Sequence, residues 1–186
     1  VEVAAVLMAI GKMHEARREL SEAHAAWSRA AAIQEKALGP EDAQLAGALA
    51  NLARLAFLEN DWATAKSLME RSLAIREKQL GPDHPDTART KANFCNILIE
   101  LGDYGRAERL TREAMASMEK MLGPEHPQLA TSQEQLTHIL YLSGKAQEAI
   151  PIQKRALAIR EKVLGPDSPQ AGFALNNLGL LLQATG

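Results

Sequence analysis

The stretch "LGPDHPD", residues Leu80 to Asp86, decides how this chain is organised. Related stretches begin at Leu38 ("LGPED"), Leu122 ("LGPEHPQ") and Leu164 ("LGPDSPQ"), so that each copy starts 42 residues after the one before it. A constant spacing without insertions indicates one structural unit repeated along the chain. The 186-residue chain is therefore expected to be an array of repeats.

Each copy of this stretch favours the end of one helix and the start of the next. The glycine permits a left-handed backbone beyond the last helical turn, and the proline after it cannot continue the helix. In three copies a second proline suits the first position of a new helix, and the residue before it occupies the N-cap position. In that position Asp42 and Ser168 are good caps, whereas His84 and His126 are expected to be poorer ones.

A second break falls in the middle of each unit. It contains Asn60, Gly102 or Gly144, residues that tolerate a left-handed conformation, while the first copy has Arg17 and Arg18 there instead. Each unit is thus predicted to be a helical hairpin, with a first helix of about 15 residues and a second of about 18 to 20. The predicted fold class is all-α.

Small residues recur in register with the repeat. One column occupies the second helix, another lies seven residues further on, and a third lies in the first helix beside larger apolar residues. These columns are Ala23, Ala65, Ala107 and Ala149; Ala30, Ser72, Ala114 and Ala156; and Gly11, Ala53, Cys95, Thr137 and Gly179. Small side chains at these positions allow helices to approach closely.

Composition excludes several classes of function. The formal net charge of −2 gives no basic field for nucleic acid, and no apolar run approaches the roughly 20 residues that span a bilayer. Cys95 is the only cysteine, which rules out an intrachain disulfide and favours a reducing, cytoplasmic location. Because the chain begins at Val1 without a methionine, we expect it to be a piece of a longer protein.

No group of residues supports catalysis, a metal or a cofactor. Asp83, His84 and Asp86 could be imagined as metal ligands, but other copies carry Asp42 or Ser168 at the histidine position. Cys95 lies in a column of small residues and is expected to be a buried filler. His14 is expected to pack or cap within the first hairpin, and the repeated "AIREK" from Ala74 is expected to be charged mainly on a solvated helix face.

The pattern as a whole resembles the tetratricopeptide repeat (TPR), in the 42-residue form found in kinesin light chains and in bacterial arrays. The resemblance rests on the leucine and small residue of the first helix, the turn "LGDY" at residues 101–104 and the two alanine columns of the second helix. HEAT and armadillo repeats have a similar period but lack this alanine pair after such a turn. The resemblance implies a right-handed α-α superhelix with four helical hairpins plus the first helix of a fifth. Residues 1–186 would form a single array with approximate repeats 1–41, 42–83, 84–125, 126–167 and a partial 168–186.

In proteins of this kind the first helices line a concave groove that binds a segment of a partner protein, often through asparagine side chains. The matching amides recur once per period, a polar row follows three residues later, and Arg89 and Asn176 lie beside them. The predicted groove residues are Lys12, Asn51, Arg54, Arg89, Asn93, Asn96, Gln135, His138, Asn176 and Asn177. The cations suggest an internal acidic segment as ligand. The carboxylate-clamp subtype is not predicted, because Met8 and Asn93 fall where it needs cations.

Three alternatives stay open at this point. The polar row could simply be solvated, with the amides inherited with the repeat and unused. The apolar residues Leu178, Leu181 and Leu182 near the C-terminus suggest either further repeats or self-association through the last helix. Similar bacterial arrays are attached to protease-like or nucleotide-binding signalling domains, which would make this chain a sensor or regulatory module.

Overall fold

The computed structural model describes all residues, 1–186, and contains nine α-helices and no β-strand. First helices of 15 to 17 residues alternate with second helices of 19 residues, as the sequence predicts. None of the helices combines the length and the apolar composition that crossing a bilayer requires. The helices are α1 (Glu2–Ala16), α2 (Leu20–Leu38), α3 (Ala43–Leu58), α4 (Trp62–Leu80), α5 (Pro85–Glu100), α6 (Tyr104–Leu122), α7 (Pro127–Leu142), α8 (Ala146–Leu164) and α9 (Pro169–Thr185).

The chain divides into two compact units. Unit 1 comprises Val1–Thr90, in which α1 packs on α2, α2 on α3, and α3 on α4. Unit 2 comprises Lys91–Gly186, in which α6 packs on α7, α7 on α8, and α8 on α9. In each unit, neighbours along the chain are therefore neighbours in space, as expected for stacked helical hairpins.

The turn inside each hairpin has the same backbone geometry in all four copies. The amide of the residue after the turn donates to a carbonyl five residues earlier, as in Asp61 N to Ala56 O at 2.8 Å and Lys145 N to Leu140 O at 2.8 Å. This bond and the positive φ before it define a Schellman motif. In the first copy Arg18 takes the positive φ, 61°, that Asn60, Gly102 and Gly144 take at 60°, 72° and 76°. The first turn thus keeps the common geometry despite its unfavourable residue.

Replacing Arg18 by glycine should stabilise unit 1, because a non-glycine residue in the left-handed region costs roughly 1–2 kcal/mol. The greater conformational entropy that glycine loses on folding offsets only part of this gain. We expect a gain of about 0.5–1 kcal/mol in the free energy of unfolding, measured by urea denaturation followed by circular dichroism. Arg17→Gly is the matched control, because Arg17 has an ordinary φ of −89°. An equal or larger gain from the control would contradict the explanation.

The turn between hairpins differs from the expectation in one respect. Gly39, Gly81, Gly123 and Gly165 have φ between 85° and 95°, but their ψ lies between 154° and 167°, far from the left-handed helical value. This combination is accessible essentially only to glycine. Glycine is therefore required here more strictly than a simple left-handed helix end would require it.

The histidines after these turns cap their helices, with longer hydrogen bonds than the aspartate at the equivalent position makes. His84 Nδ1 accepts a hydrogen bond from the Asp86 amide at 3.1 Å, and His126 Nδ1 accepts one from the Gln128 amide at 3.3 Å. Asp42 makes the same bond to the Gln44 amide at 2.8 Å. An imidazole Nδ1 is as many bonds from the backbone as an aspartate oxygen, so the two groups can fill the same cap position.

The small-residue columns lie at the helix interfaces, except for the exposed Gly179 of α9. All four alanines of the first column, Ala23 to Ala149, are completely buried. In the first-helix column Gly11 packs against Trp27, and a Cβ on Gly11 would lie 2.2 Å from the indole Nε1. Trp27 itself is fully buried, and its Nε1 donates to Met8 O at 3.2 Å. One unit later in the sequence the same two positions hold Ala53 and Met69, so a larger first-helix residue accompanies a smaller second-helix residue.

Gly11→Ala should destabilise unit 1 by about 1–3 kcal/mol, the usual cost of overpacking a filled core. Gly179→Ala is the control, because a Cβ there meets no atom within 4 Å and alanine favours the helix. Trp27→Met should cost less in the Gly11→Ala background than alone. Urea denaturation of the four proteins measures this coupling, and purely additive effects would contradict the packing account.

Candidate functional site

Three positions on each first helix form an outward face. They are spaced by four and then three residues, so they lie on one side of a helix. In α3 they are Gly47, Asn51 and Arg54. Each of these is partly exposed, while the neighbouring Leu52, Ala53 and Leu55 are buried. The equivalent positions in later first helices are Arg89, Asn93 and Asn96 in α5, Thr131, Gln135 and His138 in α7, and Phe173, Asn177 and Leu180 in α9. We call these three positions the outer row of each first helix.

In unit 1 the predicted cations Lys12, Arg54 and Arg89 differ in how available their charges are to a ligand. Lys12 is exposed. Arg54 forms an ion pair with Glu15, and its guanidinium carbon lies 5.6 Å from the centre of the Trp27 ring. Burial lowers the pKa of Arg54 from its usual value. Arg54 therefore already contributes to packing between α3 and the first hairpin, so less of its charge is available to a ligand.

Arg89 is also paired within its own helix. Its Nη2 lies 2.6 Å from Asp86 Oδ1, and the Arg89 side chain is 65% exposed. The hydrogen bond from Arg89 lowers the pKa of the Asp86 carboxyl. An exposed pair of this kind contributes little to stability and can exchange partners readily.

In unit 2 two of the predicted amides bind each other. Gln135 Nε2 donates to Asn96 Oδ1 at 3.0 Å and to Ala92 O at 3.3 Å, which links α7 to α5. Asn93 and Asn176 are exposed. In unit 2, therefore, Gln135 and Asn96 join two helices, whereas Asn93 and Asn176 face solvent.

His138 and Asn177 come together at a cavity of about 220 Å³ between α7 and α9. Leu180, Leu181 and Tyr141 supply apolar walls, and Glu134 and Thr137 complete the lining. The hydroxyl of Thr137 is buried without a hydrogen-bond partner. This cavity is a second place in unit 2, besides the Gln135–Asn96 hydrogen bond, where predicted site residues from different helices meet.

The other candidates for chemistry have structural surroundings. Cys95 is completely buried and accepts a hydrogen bond from Thr111 Oγ1 at 3.1 Å, and burial raises its pKa to about 11. It is a buried filler, as predicted, and stays a thiol at neutral pH. His14 Nδ1 lies 2.6 Å from Glu19 Oε2 across the first turn. No group of histidine, cysteine and acidic side chains has the arrangement of a metal site.

Sequence reasoning missed the arginine of the "AIREK" motif. Glu77 and Lys78 are exposed as expected, but Arg76 is only 7% exposed, and the Arg160 side chain in the second copy is 14% exposed. These arginines extend from second helices toward the outer row. A sequence signal for this burial is that Arg76 and Arg160 each follow a residue of a small-residue column, Ser72 or Ala156, by four positions, which places them on the same side of the helix.

Comparison with known proteins places these features in a family. A family model described as tetratricopeptide repeat matches residues 1–78, 44–120, 90–162 and 136–186. No curated protein matches the chain. The solved kinesin light chain nearly identical TPR-like repeats of Podosopora anserina are 25% identical, with a TM-score of 0.87 over 98% of this chain and 86% of that chain.

Two further solved structures share the fold. BtubC (BKLC) from P. vanneervenii is 23% identical with a TM-score of 0.86, over 99% of this chain and 74% of that chain. The apo form of RapI is 16% identical with a TM-score of 0.77, over 100% of this chain and 70% of that chain. At these identities the likeness concerns the fold alone.

Proposed function

This chain belongs to the tetratricopeptide repeat family, and we propose that it is a non-catalytic protein-interaction scaffold that binds an acidic segment of a partner along its first helices. The fold is typical of scaffolds for protein–protein interaction. The finer proposal concerns where the segment binds and what its chemistry is.

The exposed amides of the outer row carry this proposal. Asn51, Asn93 and Asn177 occupy one position of the second, third and fifth repeats, are partly or fully exposed, and lie beside buried core residues. A carboxamide can donate to a peptide carbonyl and accept from a peptide amide at the same time. Such a group suits the backbone of an extended segment, whatever the side chains of that segment are.

The surrounding charges favour an acidic ligand. Lys12, Arg54 and Arg89 lie in or beside the same row in unit 1, and only Arg54 has a carboxylate partner on a different helix. Electrostatic attraction of this kind mainly raises association rates and selects against basic segments. We therefore expect binding to weaken as salt is raised.

The triple variant Asn51→Ala, Asn93→Ala and Asn177→Ala should reduce binding of acidic peptides by about tenfold or more, since each lost hydrogen bond is worth about 0.5–1.5 kcal/mol. Fluorescence anisotropy with acidic 15-residue peptides selected from an array would measure this. Gln79→Ala is the control, because Gln79 is an exposed amide on a second helix. Unchanged affinity in the triple variant, with an unchanged melting temperature, would refute the role of the row.

Self-association is a second proposal, supported by one observation on α9. Leu181 is buried against Leu136 and Leu140 within the chain, so it is not available for association. Leu175 and Leu182, seven residues apart on one side of α9, each remain 49% exposed, however. An apolar face of this kind is a common site of association.

If α9 mediates association, Leu182→Glu should shift the chain from dimer to monomer in size-exclusion chromatography with light scattering. Val3→Glu on α1 is the matched control, because Val3 is a comparably exposed apolar residue. A chain that is already monomeric at high concentration would exclude this proposal.

The number and arrangement of the helical hairpins are also part of our proposal. We infer that the nine helices form four hairpins plus the first helix of a fifth, in one right-handed array with the repeat limits given above. A cytoplasmic location and a regulatory role in a larger polypeptide are consistent with the single, buried Cys95 and with the wide use of such repeats as attached modules.

A further inference from the structure

Two arginines at equivalent positions, 84 residues apart, have different surroundings. Arg160 in unit 2 donates from Nε to Glu134 Oε1 at 3.1 Å and from Nη2 to Glu134 Oε2 at 2.9 Å. The same Nη2 lies 2.9 Å from Thr131 Oγ1. This two-pronged geometry is the strong form of arginine–carboxylate recognition.

Arg76, at the equivalent place in unit 1, has neither partner. The positions of Thr131 and Glu134 are occupied there by Gly47 and Ala50. Arg76 Nη1 donates to Asp86 O at 3.0 Å and to Thr90 Oγ1, which are both uncharged acceptors. The Nε and Nη2 groups, which hold the carboxylate in Arg160, have no acceptor.

The open side of Arg76 faces the outer row. A Cβ built on Gly47 would lie 3.8 Å from Arg76 Nη2, so the guanidinium borders the gap that the missing side chain leaves. Gly47 and Ala50 are both partly exposed. The gap therefore opens within one helical turn of Asn51.

A neighbouring ion pair is the same in both surroundings. Arg71 pairs with Glu35 in unit 1, and Arg155 pairs with Glu119 in unit 2, at positions that are also 84 residues apart. The arginines differ in their own acceptors: Arg160 has Glu134 and Thr131, whereas Arg76 has Thr90 and a backbone carbonyl. A matching pair of helices thus holds a carboxylate in one unit and lacks it in the other.

Charge supports the same interpretation. Burial is the main influence on Arg76 and lowers its pKa, whereas the hydrogen bonds to Glu134 raise the pKa of Arg160. The carboxylate of Asp86, which partly offsets this effect on Arg76, is already bound to Arg89. A buried guanidinium with unused donors and no carboxylate of its own is expected to attract one.

We propose that the gap bordered by Arg76, Gly47 and Ala50 binds the carboxylate of an aspartate or glutamate side chain from a partner segment, in the place that Glu134 takes at Arg160. That the carboxylate comes from a partner rests on the proposed function. The site itself requires only a carboxylate of suitable reach. It adds a cation from a second helix to a ligand face otherwise built from first helices.

The test uses a small probe and the arginine side-chain NMR signals of the whole chain. N-acetyl-glutamate methylamide is titrated at constant ionic strength, and N-acetyl-glutamine methylamide serves as the neutral control. The Arg76 Nε–Hε signal should move saturably with the glutamate probe and not with the glutamine probe. The Arg160 signal in the same spectrum should stay in place, because its donors are occupied.

Two variants sharpen the experiment. Ala50→Glu should supply the internal carboxylate, move the Arg76 signal toward that of Arg160 and weaken binding of the probe at least tenfold. Arg76→Met should abolish binding while the chain still folds, because Met118 occupies the equivalent place in the intervening unit. An unmoved Arg76 signal in the unmodified chain, or equal binding by the Ala50→Glu variant, would overturn the site.

These outcomes are independent of the peptide experiments. Probe binding at Arg76 without any effect of the asparagine substitutions on peptides would keep the carboxylate site and remove the proposed groove. Peptide binding with a silent Arg76 would do the reverse.

Discussion

The close approach of neighbouring helices at columns of small side chains is the constraint on which the rest of this molecule depends. Ala23, Ala65, Ala107 and Ala149 are completely buried because no larger side chain leaves room for the facing helix. Where one partner is larger, the other is reduced. Gly11 accommodates Trp27, whereas Cys95 faces Thr111, whose hydroxyl donates to the thiol. The apolar positions between these columns then complete the core of each unit.

This packing determines which residues can face a ligand. A first helix that buries two sides against its neighbours retains one side, on which the positions of Asn51 and Asn93 lie. Several polar side chains on or near that side serve the fold itself. Gln135 binds Asn96, Arg54 pairs with Glu15, and Arg160 holds Glu134. The residues left without such partners are the ones that can contribute binding energy, because they need not first break an internal bond.

Much of the architecture could be predicted from the amino-acid sequence, because helix ends and caps depend on residues close together in the chain. A glycine–proline pair ends a helix wherever it occurs, and Asp42 or Ser168 caps the next helix through a bond to its own first turn. Period and helix lengths followed from such signals. Individual turn residues were less predictable than the turns themselves. Arg18 adopts a positive φ because the two helices of its hairpin require that turn geometry. His84 and His126 cap because their Nδ1 atoms are placed like aspartate oxygens.

The candidate site was predicted less completely, since it depends on which long side chains cross from one helix to another. The repeated "AIREK" motif looks uniformly solvated in the sequence, yet its arginine is buried and its glutamate and lysine are not.

By itself the sequence determined the period, the helical class and the residue types at each turn, because those follow from backbone preferences within a few residues. Only the tertiary structure decided that Arg160 meets a carboxylate while Arg76 does not, and that Arg54 is held by Glu15. The physical reason is that a charge finds its partner through space, across helices far apart in sequence, and one missing side chain at Gly47 or Ala50 changes which donors remain open.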